Sequence, residues 1–134
     1  FIDSYCWIKI QSSNNYKESP KIEISNNVYI GRFSHIICSK EIKICKNVMI
    51  NERVYISDTT HKQDGIMPPL LSDVINIGSV KIEEGAWIGE GSYIFGNLTI
   101  GERAIVGANS LVKCSIPPGE IWAGNPAKRI KYNK

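Results

Sequence analysis

The sequence lacks several features, and each shortage excludes a class of protein. It holds two histidines in 134 residues, which excludes a metal site built from three histidines. No apolar run approaches the ~20 residues of a membrane span, so no span is predicted, and no signal-peptide pattern is visible. A net charge of +3 is too small to indicate a nucleic-acid partner.

Close cysteine pairing is also missing. The four cysteines, Cys6, Cys38, Cys45 and Cys114, form no CxxC motif. Motifs of that kind are typical of zinc sites, so no metal is predicted. Free thiols that fill small positions are typical of a reduced compartment, and we expect a cytoplasmic protein.

Aliphatic residues, by contrast, recur every six positions in the second half of the chain. The series is Ile82, Ile88, Ile94, Ile100, Val106 and Val112. A period of six fits neither an α-helix nor an alternating strand. It is typical of a solenoid in which each flat side carries one short strand.

A longer repeat is superimposed on the short one. Similar nine-residue segments begin at Ile22, Ile42, Val80 and Leu98, with spacings of 20, 38 and 18 residues. Three hexapeptides make 18 residues, so each repeat predicts one triangular coil. The chain is therefore predicted to be one all-β domain, residues 1–134, of about five stacked coils. Stacking is expected to put Ile82 over Ile100, Ile88 over Val106 and Ile94 over Val112.

Two stretches interrupt the repeat. Residues 11–20 are polar and predict a surface loop. Residues 59–76 predict a long projecting loop, a kind of segment that often carries function. Met67, Leu70 and Leu71 on this loop are apolar, so a neighbouring subunit is expected to cover them.

Several segments resemble the hexapeptide-repeat acyltransferase superfamily. They are Ala86-Trp87-Ile88-Gly89, the stretch from Ile105 to Val112, Ile116-Pro117-Pro118 and Ala123-Gly124-Asn125-Pro126-Ala127-Lys128. Residues 48–61 also align without gaps onto the segment that ends at the family's catalytic histidine. The branch with the greatest similarity is that of the galactoside, maltose and polysaccharide O-acetyltransferases.

The resemblance implies a fold, an assembly and a reaction. The fold is a left-handed parallel β-helix with a long projecting loop and a short basic C-terminal tail. The assembly is a homotrimer with each active site in a cleft between two subunits. The reaction is transfer of an acetyl group from acetyl-CoA to a sugar hydroxyl.

That reaction needs a general base for the hydroxyl, and histidine is suited to this role. His61 occupies the family's catalytic position and opens the long loop, so it is the predicted base. Asp58 either orients the imidazole or is a solvated turn residue. His35 is interpreted as a surface or acceptor-cleft residue.

The remaining site candidates follow from the resemblance. Tyr29, Asp58 and Met67 are assigned to the acceptor side. The candidates for acetyl-CoA are Trp87, the Gly89-Glu90 turn as oxyanion donor, the Gly107-Ala108 turn beside the pantetheine arm, and Lys113, Lys128, Arg129 and Lys131 for the phosphates. Lys134 adds to the same basic segment.

The sequence also departs from the family. Lys113 precedes Cys114 where the family has Thr-Lys, and Gly31 and Ser39 replace the Asn and Asp that hold the acceptor in galactoside-type enzymes. We therefore expect a sugar of a surface glycan, or its lipid-linked or nucleotide-linked precursor, rather than a simple galactoside.

Three alternatives share this fold. The first is an N-acetyltransferase acting on an amino sugar nucleotide, which uses the same kind of base. The second is a non-catalytic β-helix module, which the absence of a regular Thr-x-Thr face disfavours. The third is a γ-type carbonic anhydrase, which two histidines cannot build.

Overall fold

The computed structural model describes residues 1–132, and their regular structure is β-strand apart from one 3₁₀ turn at Pro69–Leu71. Consecutive strands of a coil belong to different sheets and pair in parallel with strands of neighbouring coils. The chain therefore winds around three flat sides, which confirms the predicted all-β parallel β-helix. No helix in residues 1–132 has the length and apolarity to cross a membrane.

The strands succeed one another coil by coil. They are β1 (Trp7–Ile10); β2 (Lys21–Ile24), β3 (Tyr29–Ile30) and β4 (His35–Cys38) in the first full coil; β5 (Glu41–Ile44), β6 (Met49–Ile50) and β7 (Tyr55–Ser57) in the second; β8 (Thr59–His61) and β9 (Val74–Asn76) in the long loop; β10 (Ser79–Ile82), β11 (Trp87–Ile88) and β12 (Tyr93–Phe95) in the third; β13 (Leu98–Ile100), β14 (Ile105–Val106) and β15 (Leu111–Val112) in the fourth; and β16 (Glu120–Gly124) and β17 (Ala127–Tyr132) at the end.

The strands form three flat faces. The charged face contains β2, β5, β10 and β13; the tryptophan face contains β3, β6, β11, β14, β16 and β17; and the tyrosine face contains β1, β4, β7, β12 and β15. The charged face takes its name from outward pairs such as Glu23 with Lys43, 3.2 Å apart. The other two faces are named after Trp87 and Tyr55.

The core lies inside the coil, where aliphatic side chains from all three faces meet. Ile82 pairs in register with Ile100, Ile88 with Val106 and Ile94 with Val112, as the six-residue period predicts. These residues are almost fully buried. The 38-residue spacing between Ile42 and Val80 is also explained. The two residues pair directly in adjacent coils, and the long loop supplies the residues beyond one coil.

Both ends of the chain are more regular than their sequences indicate. Residues 1–10 continue the β-helix, since Trp7 pairs with His35 and Ile2 forms a bridge with Ile30. The basic C-terminal segment is strand β17, which pairs antiparallel with β16. The resemblance had implied a short basic tail for this C-terminal segment.

Candidate active site

His61 lies where the coil opens into the long loop. It ends β8, which pairs antiparallel with β9 so that His61 faces Val74 across the hairpin. Its side chain is exposed, and Nδ1 lies 3.3 Å from the carbonyl oxygen of Ser72. A carbonyl only accepts hydrogen bonds, so this contact requires the proton on Nδ1. In the neutral imidazole, Nε2 then carries no proton, and this is the form that can take a proton from a hydroxyl.

A groove of about 350 Å³ runs beside His61 along the tyrosine face. Its lining combines aromatic, aliphatic and polar side chains: Lys9, Gln11, Ile37, Tyr55, Thr59, Thr60, His61 and Phe95. Concave sites of this size with a few polar groups are the usual form of small-molecule sites. Lys9, Tyr55 and Phe95 were not predicted as site residues. They stand at outward positions of β1, β7 and β12, so the six-residue repeat extended to these strands identifies them.

Asp58 is fully buried, so the solvated-turn interpretation is wrong. Its carboxylate accepts hydrogen bonds from the backbone N–H groups of Ser39 (2.6 Å), Lys40 (2.9 Å) and Glu41 (2.9 Å). The repeats that begin at Ile22 and Ile42 are 20 residues apart, two more than the 18 residues of a regular coil. The three donors lie in the stretch that contains these two extra residues. Asp58 therefore secures that insertion, and no hydrogen bond joins its carboxylate to His61 within residues 1–132.

The Cys38 thiol lies beside this carboxylate, with Sγ 3.6 Å from Asp58 Oδ2. Burial, and then the negative charge of Asp58, raise the pKa of the Cys38 thiol to about 12. Cys38 is therefore a protonated thiol at neutral pH and fills space at this corner.

Trp87 projects from the tryptophan face and is 45% exposed. Its Nε1 donates a hydrogen bond to Asn51 Oδ1 at 2.8 Å. Strand pairing places Trp87, Ile105, Ile121 and Lys131 in one outward row that runs along the axis of the β-helix. The row is apolar until Lys131 ends it.

The two candidate turns lie at the corner between the tryptophan and tyrosine faces. The N–H groups of Gly89 and Gly107 donate to Val106 O and Trp122 O, both at 2.8 Å, so they hold the coils together. A Cβ at Gly89 would lie 2.6 Å from the nitrogen of Ala108, which explains the glycine. Within the described chain, the next N–H groups, of Glu90 and Ala108, have no acceptor.

The basic candidates differ in availability. Lys113, Lys128 and Lys131 are exposed, and no ion pair involves them among residues 1–132. Arg129 is already engaged, with Nη1 3.6 Å from Glu120 Oε1 and 3.1 Å from Tyr132 Oη. Lys134 lies outside the described residues.

The acceptor candidates other than Asp58 lie apart from one another. Tyr29 is on the tryptophan face and donates a hydrogen bond to Glu52 Oε1 at 3.3 Å. Met67 is exposed on the long loop. Neither residue lines the groove beside His61. Within residues 1–132, no group of three or more His, Cys, Asp or Glu side chains is arranged to hold a metal ion.

A single chain brings together only part of the predicted site. The groove beside His61 belongs to the tyrosine face, at its far edge. The Trp87 row belongs to the tryptophan face, and the two candidate turns lie at the corner between the faces. About six residues separate the two edges of a face, roughly 15–20 Å at ~3.3 Å per residue.

Comparison with known proteins relates this geometry to a family. Residues 79–114 match the family described as bacterial transferase hexapeptide (six repeats). WbbJ of Escherichia coli K12, named for O-acetyl transfer in lipopolysaccharide biosynthesis, is 32% identical over 120 residues, which cover 84% of this chain and 61% of that protein. The chain spans about half the length of the curated relatives it matches.

Two solved structures are also similar to the chain. AntD, an N-acyltransferase from Bacillus cereus solved with dTDP-4-amino-4,6-dideoxyglucose and coenzyme A, is 26% identical with a TM-score of 0.84, over 99% of this chain and 69% of its own. The Vibrio cholerae acetyltransferase VCA0836, solved with acetyl coenzyme A, is 27% identical with a TM-score of 0.77, over 84% of this chain and 61% of its own. The protein therefore has the hexapeptide repeat and the left-handed β-helix of the hexapeptide-repeat acyltransferase superfamily, as its motifs predicted.

Proposed function

We propose that the protein is an acetyl-CoA-dependent O-acetyltransferase whose acceptor is a sugar hydroxyl of a surface glycan or its precursor. The observation that carries the proposal is the position of His61, which has a groove on one side and an Nδ1 contact to Ser72 O that leaves Nε2 free to act as base. Similarity to WbbJ supports the acetyl group and the glycan acceptor.

In the proposed reaction, the acceptor hydroxyl gives its proton to Nε2 of His61 as its oxygen attacks the thioester carbonyl. A carbon–oxygen bond forms, and the negative charge that develops on the carbonyl oxygen needs a hydrogen-bond donor. The Glu90 and Ala108 N–H groups are the candidate donors at the corner turns. The carbon–sulfur bond then breaks, and the proton on His61 passes to the departing thiolate.

The row from Trp87 to Lys131 is the proposed site of the coenzyme. A pantetheine arm is extended, and its methylene and methyl groups are able to pack along a straight apolar row that ends in a cation. Lys128, Lys131 and Lys113 are the proposed partners of the phosphates, because ammonium groups pair well with phosphate. Arg129 is a weaker candidate, since it already contacts Glu120.

We further propose a homotrimer in which each active site is shared by two subunits. The groove beside His61 and the Trp87 row lie on different faces of one chain, so one copy offers its tyrosine face and the next its tryptophan face. Contacts between two different surfaces of identical copies form a closed ring when the rotation between successive copies divides evenly into a full turn. Three copies then bury two faces each and leave the charged face in water.

The outward residues of the faces support this assembly. Trp7 and Tyr93 on the tyrosine face are 60% and 52% exposed, and the loop residue Leu70 is 89% exposed. Apolar surface of this extent marks an interaction site in many proteins. The charged face instead carries ion pairs such as Lys81 with Glu83, 3.0 Å apart.

The main alternative is N-acetylation of an amino sugar nucleotide. The structural similarity to AntD, which was solved with such a nucleotide, favours it. Lys9 in the groove would be able to meet a phosphate of that acceptor. A non-catalytic module is the alternative from a different class, and it predicts no binding of coenzyme A.

An acceptor screen decides among these functions. The protein is incubated with acetyl-CoA and a panel of free sugars, glycan fragments and nucleotide-linked amino sugars, and products are identified by mass spectrometry. An ester that hydroxylamine removes supports O-acetylation, whereas a stable amide supports the alternative. No product from any acceptor, together with no thermal shift on addition of coenzyme A, contradicts both enzymatic functions.

A further inference from the structure

The hairpin that carries His61 is fastened to the β-helix by the side chain of Asn76 at the end of β9. Asn76 Nδ2 lies 3.1 Å from Asp58 O, 3.1 Å from Ser39 Oγ and 2.8 Å from Gly78 O. Its Oδ1 accepts from the Gly78 N–H at 3.0 Å. The Asn76 side chain thus connects Asp58, where the long loop begins, with Gly78, where it ends, and with Ser39 in the neighbouring insertion.

A second attachment comes from the polar segment of residues 11–20. Asn15 Nδ2 donates to the backbone carbonyl of Asn76 at 2.7 Å, and the Asn76 N–H donates to Asn15 Oδ1 at 2.6 Å. Next to this pair, the Asn14 N–H donates to Val74 O at 2.9 Å. Val74 is the residue opposite His61, so the segment covers the free edge of the strand that holds His61 in place.

The hairpin is otherwise held by its strand pairing and by a few bonds such as Thr59 Oγ1 to Ile75 O and the Ile77 N–H to Asp58 O, both 2.9 Å. β8 and β9 form a two-stranded sheet of three residues each, and the residues from Lys62 to Leu71 are exposed. An isolated two-stranded hairpin is marginally stable in water. A catalytic group displaced by about 1 Å is able to lose about 100-fold in rate. The fixed position of His61 therefore depends on the edge contacts of β9.

We propose that Asn15 is a positioning residue for His61. It acts through the backbone of Asn76 and β9, and it touches neither the groove nor the Trp87 row. The inference rests on the proposed function, because it assigns the general base to His61. It gives the otherwise irregular segment of residues 11–20 a role in catalysis.

The test compares Asn15→Ala with Asn14→Ala. Both remove an exposed asparagine side chain from the same turn, but within residues 1–132 the Asn14 side chain makes no hydrogen bond, and its backbone N–H stays in place. Asn15→Ala is expected to accelerate hydrogen exchange of the β8 and β9 amides by about 10–100-fold, as two lost hydrogen bonds imply. It is also expected to lower kcat by at least about tenfold with KM for acetyl-CoA and Tm unchanged. Asn14→Ala is expected to match the wild type in all four measurements.

Asn15→Asp adds a second variant. It keeps an acceptor for the Asn76 N–H but replaces the donor with an oxygen that faces the Asn76 carbonyl, so its exchange and kcat are expected to resemble those of Asn15→Ala. If the wild type is active and Asn15→Ala has the same kcat, the inference is wrong and the proposed function is unaffected. A lower Tm with uniformly faster exchange across the β-helix also overturns it, because it indicates general destabilisation. A wild type inactive with every acceptor contradicts the proposed function, and hairpin exchange still decides whether Asn15 holds β9.

Discussion

His61 and Trp87 lie on different sides of the same β-helix. His61 borders the groove of the tyrosine face, whereas Trp87 projects from the tryptophan face between Met49 and Ile105. A base and a coenzyme row held by one rigid coil cannot approach each other. A complete active site of the proposed kind therefore requires two copies of the chain.

The first prediction concerns the base. His61→Ala is expected to lower acetyl transfer by about 10²–10⁴-fold, the usual contribution of general base catalysis. Affinity for acetyl-CoA is expected to stay the same, because the base contacts the acceptor hydroxyl. Steady-state kinetics and calorimetry measure the two effects. His35→Ala is the control and keeps most of the activity; a dead His35 variant beside an active His61 variant would mean that the base is misassigned.

The second prediction concerns the coenzyme phosphates. Replacing both Lys128 and Lys131 by alanine is expected to weaken acetyl-CoA binding by about 1–3 kcal/mol, as for charge-assisted contacts. The control replaces Lys43 and Lys81 on the charged face, which removes the same net charge far from the Trp87 row. Calorimetry of all three proteins tests the assignment, and equal affinities would count against it.

The third prediction concerns assembly. Light scattering is expected to give about 45 kDa, three times the 15.0 kDa of the chain. Tyr93→Glu places a charge in the outward row of the tyrosine face and is expected to shift the mass towards the single chain, because burying an unpaired charge is costly. Thr99→Glu places the same charge on the charged face and should leave the mass unchanged. A monomeric wild type at micromolar concentration contradicts the trimer.

The fourth prediction concerns stability. Asp58→Ala leaves the buried N–H group of Ser39 and the partly buried N–H groups of Lys40 and Glu41 without their acceptor, so we expect a loss of about 3–5 kcal/mol in the free energy of unfolding. Urea denaturation measures the loss. Asp73→Asn, at an exposed position of the long loop, is the control and should change stability by less than about 0.5 kcal/mol. Similar stabilities for the two variants would remove the structural role of Asp58.

The fifth prediction concerns thiol ionisation. The folded pKa of Cys38 is about 12 against 9.0 for a free thiol, so the folded state retains a proton that the unfolded state releases. The contribution of Cys38 to stability is therefore complete below about pH 9 and lost as the pH rises towards 12. At pH 8, iodoacetamide is expected to label exposed Cys114 and spare Cys38 in peptide mapping. Equal labelling of both cysteines would contradict this prediction.

The sequence by itself determined the coil and its register. Few backbone folds place every sixth side chain in a common core, so the six-residue aliphatic period predicts both the coil and the burial of Ile82, Ile88 and Ile94. The position of His61 was also predictable, because the repeat stops there and the motif resembles that of known acyltransferases. Local pattern was sufficient for these features, since each depends on residues close in sequence or one repeat apart.

Tertiary structure decided the features that depend on irregular segments and long-range contacts. Asn15 meets Asn76 across 61 residues, and Asp58 turns inward to satisfy the donors of an insertion 17–19 residues earlier. No period links these positions, so their pairing required the folded chain. The faces that carry His61 and Trp87 likewise follow from where each coil turns its corners. Only the folded chain therefore decides that His61 and Trp87 lie on different faces of one copy.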